Sequence, residues 1–98
     1  MKIRFLTVAD REATEAAEYY EAQRIGLGSE FVEELHRTES RIIENPNAWS
    51  PGSRRTRSCQ MNRFPYSIVY RVFADEIVVV AVHHHSRDPR RWEDRIFE

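Results

Sequence analysis

The sequence predicts an α+β domain: an N-terminal strand, a two-helix hairpin, and then a three-strand antiparallel meander that completes one small sheet. Three observations carry this. Apolar residues recur at helical spacing twice in the first half, the period changes to two in the second half, and a Pro-bounded loop separates the two regimes. With 98 residues the chain is expected to form a single domain over residues 1–98 with one modest core.

Ile3, Phe5 and Thr7 alternate with Arg4, Leu6 and Val8, which predicts a short strand. Thr7 followed by Asp10 has the spacing of a capping box and predicts a helix starting there. Ala9, Ala13, Ala16, Ala17 and Tyr20 then share one helix face, with Glu12, Glu15, Glu18 and Glu21 mostly on the others. Gly26-Leu27-Gly28 interrupts the period, and Ser29 is the expected cap of a second helix. That helix repeats Phe31, Leu35, Thr38 and Ile42, with Val32 and Ile43 flanking, until Asn45-Pro46 stops it. So short a connection folds two helices of roughly four turns into an antiparallel hairpin.

Past the loop at residues 46–53, residues 54–60 read as a polar edge strand. In residues 66–73, Tyr66, Ile68, Tyr70 and Val72 face one way and Ser67, Val69, Arg71 and Phe73 the other. Ala74-Asp75-Glu76 makes a turn. The unbroken apolar run Ile77–Val82 suits a central strand covered on both faces. Pro89 ends it, and a short C-terminal helix is expected over Arg91–Phe97.

Composition narrows the function classes. The longest apolar runs fall far short of a membrane span, and the opening residues lack a signal peptide's apolar core, so a cytoplasmic location with no membrane partner is expected. Cys59 is the only cysteine, which excludes an internal disulfide and fits a reducing compartment. The net charge of −1 hides an asymmetry: residues 1–53 hold 6 Lys and Arg against 10 Asp and Glu, whereas residues 54–98 hold 9 Arg against 6 acids. Guanidinium forks grip phosphate or carboxylate at two points, so an Arg-rich half points to an anionic partner. The same charges would also suit a solvated sheet face with structural ion pairs.

No Gly-rich phosphate loop and no nucleophile elbow is present, and no cofactor is expected. His83 and His85 share a strand face with His84 opposite, but no Cys, His or Asp cluster completes a metal-ligand set, so no metal site is expected. Arg54, Arg55 and Arg57 either contact an anion or keep an edge strand soluble. Tyr66 offers a ring on which a base can stack, or core packing. Arg63, Arg90 and Trp92 divide between partner contact and ordinary structure in the same way. Arg91 and Arg95, at i and i+4, read as helix-surface residues.

Several segments resemble the RelE/ParE superfamily of toxins. They are Ala16-Ala17-Glu18-Tyr19-Tyr20-Glu21, Gly26-Leu27-Gly28-Ser29-Glu30-Phe31, the stop at Asn45-Pro46, Arg63-Phe64-Pro65-Tyr66-Ser67-Ile68-Val69-Tyr70, and His83-His84-His85-Ser86-Arg87-Asp88-Pro89-Arg90-Arg91-Trp92. The resemblance covers nearly the whole chain in order. It implies a toxin neutralised by a cognate antitoxin, acting either on DNA gyrase or, as a ribosome-dependent endonuclease, on messenger RNA. A relative that only binds the antitoxin is the third option. The nuclease option implies catalytic roles for Arg57, Arg87, His83 and His85. Against it, Ser67 stands where such enzymes carry a third-strand Arg, and their C-terminal Tyr has no counterpart. Target or antitoxin contacts are expected at Arg54, Arg55, Arg63, Tyr66, Arg90 and Trp92, on a surface where the guanidinium groups converge.

Overall fold

A computed structural model describes residues 1–97, and Glu98 lies outside the described residues. The chain runs β1 (Lys2–Phe5), α1 (Thr7–Gln23), α2 (Leu27–Glu44), β2 (Ser50–Pro51), a 3-10 turn (Ser53–Arg55), β3 (Arg57–Gln60), β4 (Tyr66–Val72), β5 (Glu76–His84) and α3 (Arg90–Glu93), with a last 3-10 turn over Asp94–Phe97. The sheet order is β1-β5-β4-β3-β2. β3, β4 and β5 form the expected antiparallel meander, and β1 lies parallel to β5 with Phe5 opposite Val79. The two-residue β2 covers part of the outer side of β3.

The helix hairpin packs on one sheet face. Ala9, Ala13 and Ala16 of α1 and Phe31, Leu35 and Ile42 of α2 join Ile68, Tyr70, Ile77, Val79 and Val82 in one buried cluster. Each fully buried Val, Ile or Phe contributes about 1.5–3 kcal/mol of apolar burial. The opposite face has a smaller cluster of Val69, Val80 and Ala81 beneath Trp92. A β-bulge explains why the apolar run in β5 is unbroken. The register passes from Val69↔Ala81 to Tyr70↔Val79, so Val80 is the extra residue and Val80 and Ala81 sit on the same face.

Both expected helix caps are corrected. α1 starts at Thr7 with Leu6 as cap residue and no side-chain cap bond, because Leu6 still belongs to the sheet ladder, its N–H donating to Val79 O at 3.0 Å. α2 starts at Leu27, so Ser29 lies inside its first turn. Its capping acceptor comes from the preceding helix: the Glu21 carboxylate accepts from Gly26 N and Gly28 N at 3.0 Å each. Gly26 has φ 91°, a left-handed conformation that favours glycine. The strand expected from residue 54 starts at Arg57, since Arg54 and Arg55 take φ of 55° and 62° in the 3-10 turn.

Gly28 is a close-approach site. A Cβ there would stand 2.6 Å from the backbone oxygen of Ala17 and so drive the hairpin apart. Gly28→Ala is therefore expected to destabilise the fold by about 1–3 kcal/mol through overpacking, read as a lower urea midpoint. An unchanged midpoint would contradict the close approach.

Candidate functional site

β1 stops at Phe5, opposite Val79, while β5 continues to His84. Past that point, among the described residues, β5 has no neighbouring strand on its outer side, and side chains take over. Glu12 on α1 accepts from Val82 N at 3.1 Å, and Arg95 donates to Val80 O at 3.0 Å. The two side chains also pair with each other at 2.8 and 3.0 Å. Arg95 is only 14% exposed, which corrects its expected place as a helix-surface residue. The reason is that a buried strand edge needs donors and acceptors, and this pair supplies one of each.

Beside this plug lies a cleft of about 380 Å³ between α1 and the segment leaving β5. Its α1 wall is Glu12, Glu15, Ala16 and Tyr19, at i, i+3, i+4 and i+7, so one helix stripe faces it. Its other wall holds His83, His84, Ser86, Arg87, Arg91 and Trp92, with Tyr66 and Val82 between. The walls differ in chemistry: carboxylates on one, hydrogen-bond donors on the other. Ser86 N donates to His84 Nδ1 at 3.0 Å, and a backbone N–H can only donate. The neutral His84 ring thus keeps its proton on Nε2 and acts as a donor there. The His84 ring stands edge-on to Tyr66, with centroids 4.9 Å apart.

Burial pushes the His83 imidazole below its ordinary value, against the opposing pull of Glu12 and with smaller downward contributions from His85, His84 and Arg91. Burial also raises the Tyr66 phenol, keeping it protonated and able to donate, although nearby Arg87 works the other way. Among the described residues, neither Arg87 nor Arg91 has a carboxylate within ion-pairing distance.

The structure brings together four of the residues singled out from sequence: His83, Arg87, Tyr66 and Trp92. It separates the others. Arg57 donates to Trp49 O at 2.8 Å, in the β2–β3 region. Arg63 pairs with Glu30 at 2.6 Å at the start of α2, and Arg90 pairs with Asp88 at 2.6 Å on the surface. Arg54 and Arg55 lie in the exposed turn before β3. His85 is past the end of β5, its Nε2 2.9 Å from Ser67 Oγ. The expected convergence of guanidinium groups on one surface is therefore corrected: several of them meet carboxylates or carbonyls of this chain at separate places.

Sequence reasoning did not single out Glu12, Glu15, Tyr19 or Ser86, and it set His84 on the strand face opposite His83 and Arg91 on a helix surface, whereas both line the cleft with His83. The i, i+3, i+4, i+7 spacing of the α1 residues was a usable signal, masked by the stronger Ala stripe beside it. Among the described residues, no group of three or more His, Cys, Asp or Glu side chains is placed to hold a metal ion, and no helix is long and apolar enough to cross a membrane.

Comparison with known proteins bears on this geometry. A family model described as "ParE toxin of type II toxin-antitoxin system, parDE" matches residues 3–89. A solved structure titled "Chromosomal ParDE TA system from P. aeruginosa" is similar at a TM-score of 0.73 and 19% identity, covering 86% of this chain and 95% of that one. At that identity the likeness concerns the fold. No curated protein sequence matches.

Two outcomes test the site's construction. Glu12→Ala strands Val82 N and leaves Arg95 without its carboxylate, so a loss of about 2 kcal/mol in unfolding free energy is expected. A loss no larger than that of the exposed control Glu18→Ala would refute the plug. The second concerns pH. His83 is held below its ordinary value of 6.5 in the folded protein, so its contribution is complete above that value. As pH falls below about 6.5, the unfolded chain binds the proton first and stability drops. Urea midpoints measured from pH 7.5 to 5.0 should decline less steeply in His83→Gln than in the parent. Parallel curves would reject the assignment.

Proposed function

Since the chain belongs to the ParE toxin family of type II toxin–antitoxin systems, we propose that it acts by binding, with DNA gyrase as its target and a cognate antitoxin as its neutraliser. One observation carries the choice of binding over RNA cleavage. The groups a nuclease would need are dispersed. Cleavage requires a base for the ribose hydroxyl, positive charge on the phosphate and an acid for the leaving oxygen, all within hydrogen-bond reach of one substrate. Arg57 is tied to Trp49 O, Ser67 is hydrogen-bonded to His85, and of the four candidates only His83 and Arg87 share the cleft.

A binding inhibitor has different needs. Its surface must be shaped before contact, so that little ordering entropy is lost on association. The cleft meets this requirement. Its α1 wall is anchored to β5 through Glu12, Arg95 holds the C-terminal segment to the same strand, and buried Trp92 packs that segment on the sheet. The donor wall at Arg87 and Arg91 offers an anionic partner segment two unpaired guanidinium groups among the described residues.

Messenger-RNA cleavage keeps one point in its favour, the shared placement of His83 and Arg87, and a single set of assays separates the readings. Purified protein is expected to stop supercoiling by DNA gyrase, to leave translated RNA uncut, and to release gyrase when the product of the neighbouring small reading frame is added. Normal supercoiling at large molar excess would overturn the gyrase target. Codon-phased cuts abolished by Arg87→Ala, equivalent to about 3 kcal/mol of lost transition-state stabilisation, would establish the nuclease instead.

A further inference from the structure

We propose that a groove at the outer edge of β3 binds a small organic phosphate, of the class of a nucleoside monophosphate, with Arg41 as its cationic anchor. The groove shares no lining residue with the cleft beside β5, and its occupancy does not depend on which target the protein has.

The first observation is a cation without a counter-charge. Arg41, on α2, is half-buried. Its Nη2 donates to Gln60 O at 2.8 Å and to Thr38 Oγ1 at 3.2 Å, and its guanidinium carbon stands 5.4 Å from the centroid of the Trp49 ring. These partners are all neutral. Among the described residues, no carboxylate lies within ion-pairing distance of Arg41, its Nη1 meets no acceptor, and its Nε–H is buried without a hydrogen bond. A guanidinium partly withdrawn from water loses hydration, and a ring face and a carbonyl offset only part of that loss. A bound anion would offset the rest.

The second observation is the space beside it. β2 pairs with β3 only at Arg57 and Ser58. An open groove of about 690 Å³ lies past that point, inside the range of roughly 300–1,000 Å³ typical of small-molecule sites. Among the described residues, no acidic side chain lines it. The third observation is a supply of neutral donors. Ser58 and Gln60 share one face of β3, and Asn62 follows in the turn to β4. Their side chains line the groove and make no hydrogen bond within the described residues. Arginine, hydroxyl and carboxamide groups are the side chains that contact phosphate oxygens in nucleic-acid complexes.

Two further features fix the size of the occupant. Arg63 also lines the groove, but Glu30 holds its guanidinium at 2.6 Å, and Glu33 and Glu34 act on it as well. Those carboxylates would repel a long polyanion, so the fit is to one phosphate group at Arg41. The Trp49 ring gives the groove an apolar side next to that cation, which suits an organic phosphate better than a bare ion.

The test titrates the full chain with inorganic phosphate, adenosine monophosphate and adenosine, against chloride at matched ionic strength. The readouts are the Trp49 indole N–H, which donates to Arg41 O, the side-chain amide signals of Gln60 and Asn62, and the urea midpoint. Phosphate and the nucleotide are expected to shift these signals saturably and raise the midpoint, the nucleotide at lower concentration, while adenosine does neither. Arg41→Gln should weaken nucleotide binding about tenfold. Because Arg41 also ties α2 to β3, Asn62→Asp is the second variant. It places a carboxylate in the groove without removing a side-chain hydrogen bond, and a loss of about tenfold in affinity is expected with the ligand-free urea midpoint unchanged. The inference fails if chloride reproduces the response, if the response does not saturate, or if Asn62→Asp binds as the parent does. Equal affinity for phosphate and nucleotide overturns the role given to Trp49. Tighter binding of a DNA oligonucleotide lacking terminal phosphates overturns the choice of a small ligand.

Discussion

The early termination of β1 is the constraint around which the rest of the structure is arranged. β5 is the longest strand and is central over its first half, with β1 and β4 on either side. Over its second half, among the described residues, it has only β4, so its outer edge must be satisfied by other means or left to water. The Glu12–Arg95 pair does this, tying α1, the β-bulge and the C-terminal segment to one place. A carboxylate and a guanidinium so situated lose hydration, and each compensates the other while meeting one backbone group. The bulge at Val80 is part of the same arrangement. It sets Val80 and Ala81 together on the face that Trp92 covers.

The candidate site is shaped by the same edge. α1 is held beside β5 without sealing it, so a cleft remains between a carboxylate-bearing helix and the donor-rich exit of the strand. Its position depends on elements distant in sequence, residues 12–19 on one wall and 83–92 on the other. The residues gathered here are hydrogen-bond donors, aromatic rings and charged side chains. The helix hairpin that carries the α1 wall is fastened at its turn and closely packed. Glu21 closes its turn by capping α2, and Gly28 lets the helices approach closely.

Most of the fold was legible in the residues. The Ala stripe of α1, the Phe31–Leu35–Thr38–Ile42 stripe of α2 and the alternation through β4 each record a solvent boundary, because one face is buried and the other is not. The start of α1 at Thr7 was legible, but the caps were misread, since Thr7–Asp10 and Ser29 have local capping patterns while α1 has no side-chain cap bond and the acceptor that caps α2, Glu21, belongs to the preceding helix. Of the candidate site, His83, Tyr66 and Trp92 were singled out from their residue types and neighbours, and Arg87 from the family resemblance. Arg54, Arg55, Arg57, Arg63 and Arg90 were grouped with them because composition reports how many guanidinium groups exist and not what each one meets.

The sequence by itself determined the element order, the two core faces, the central place of Ile77–Val82 and the likeness to a toxin family. All of these follow from periodicity and from short segments that act locally. Only the tertiary structure decided where β1 stops, which carboxylate meets Arg95, and which of the arginines share a cavity. Those outcomes depend on pairings across as many as 83 residues of chain separation, as between Glu12 and Arg95. Such pairings are settled by which buried donors and acceptors would otherwise go unmet, and no local pattern in the chain records them.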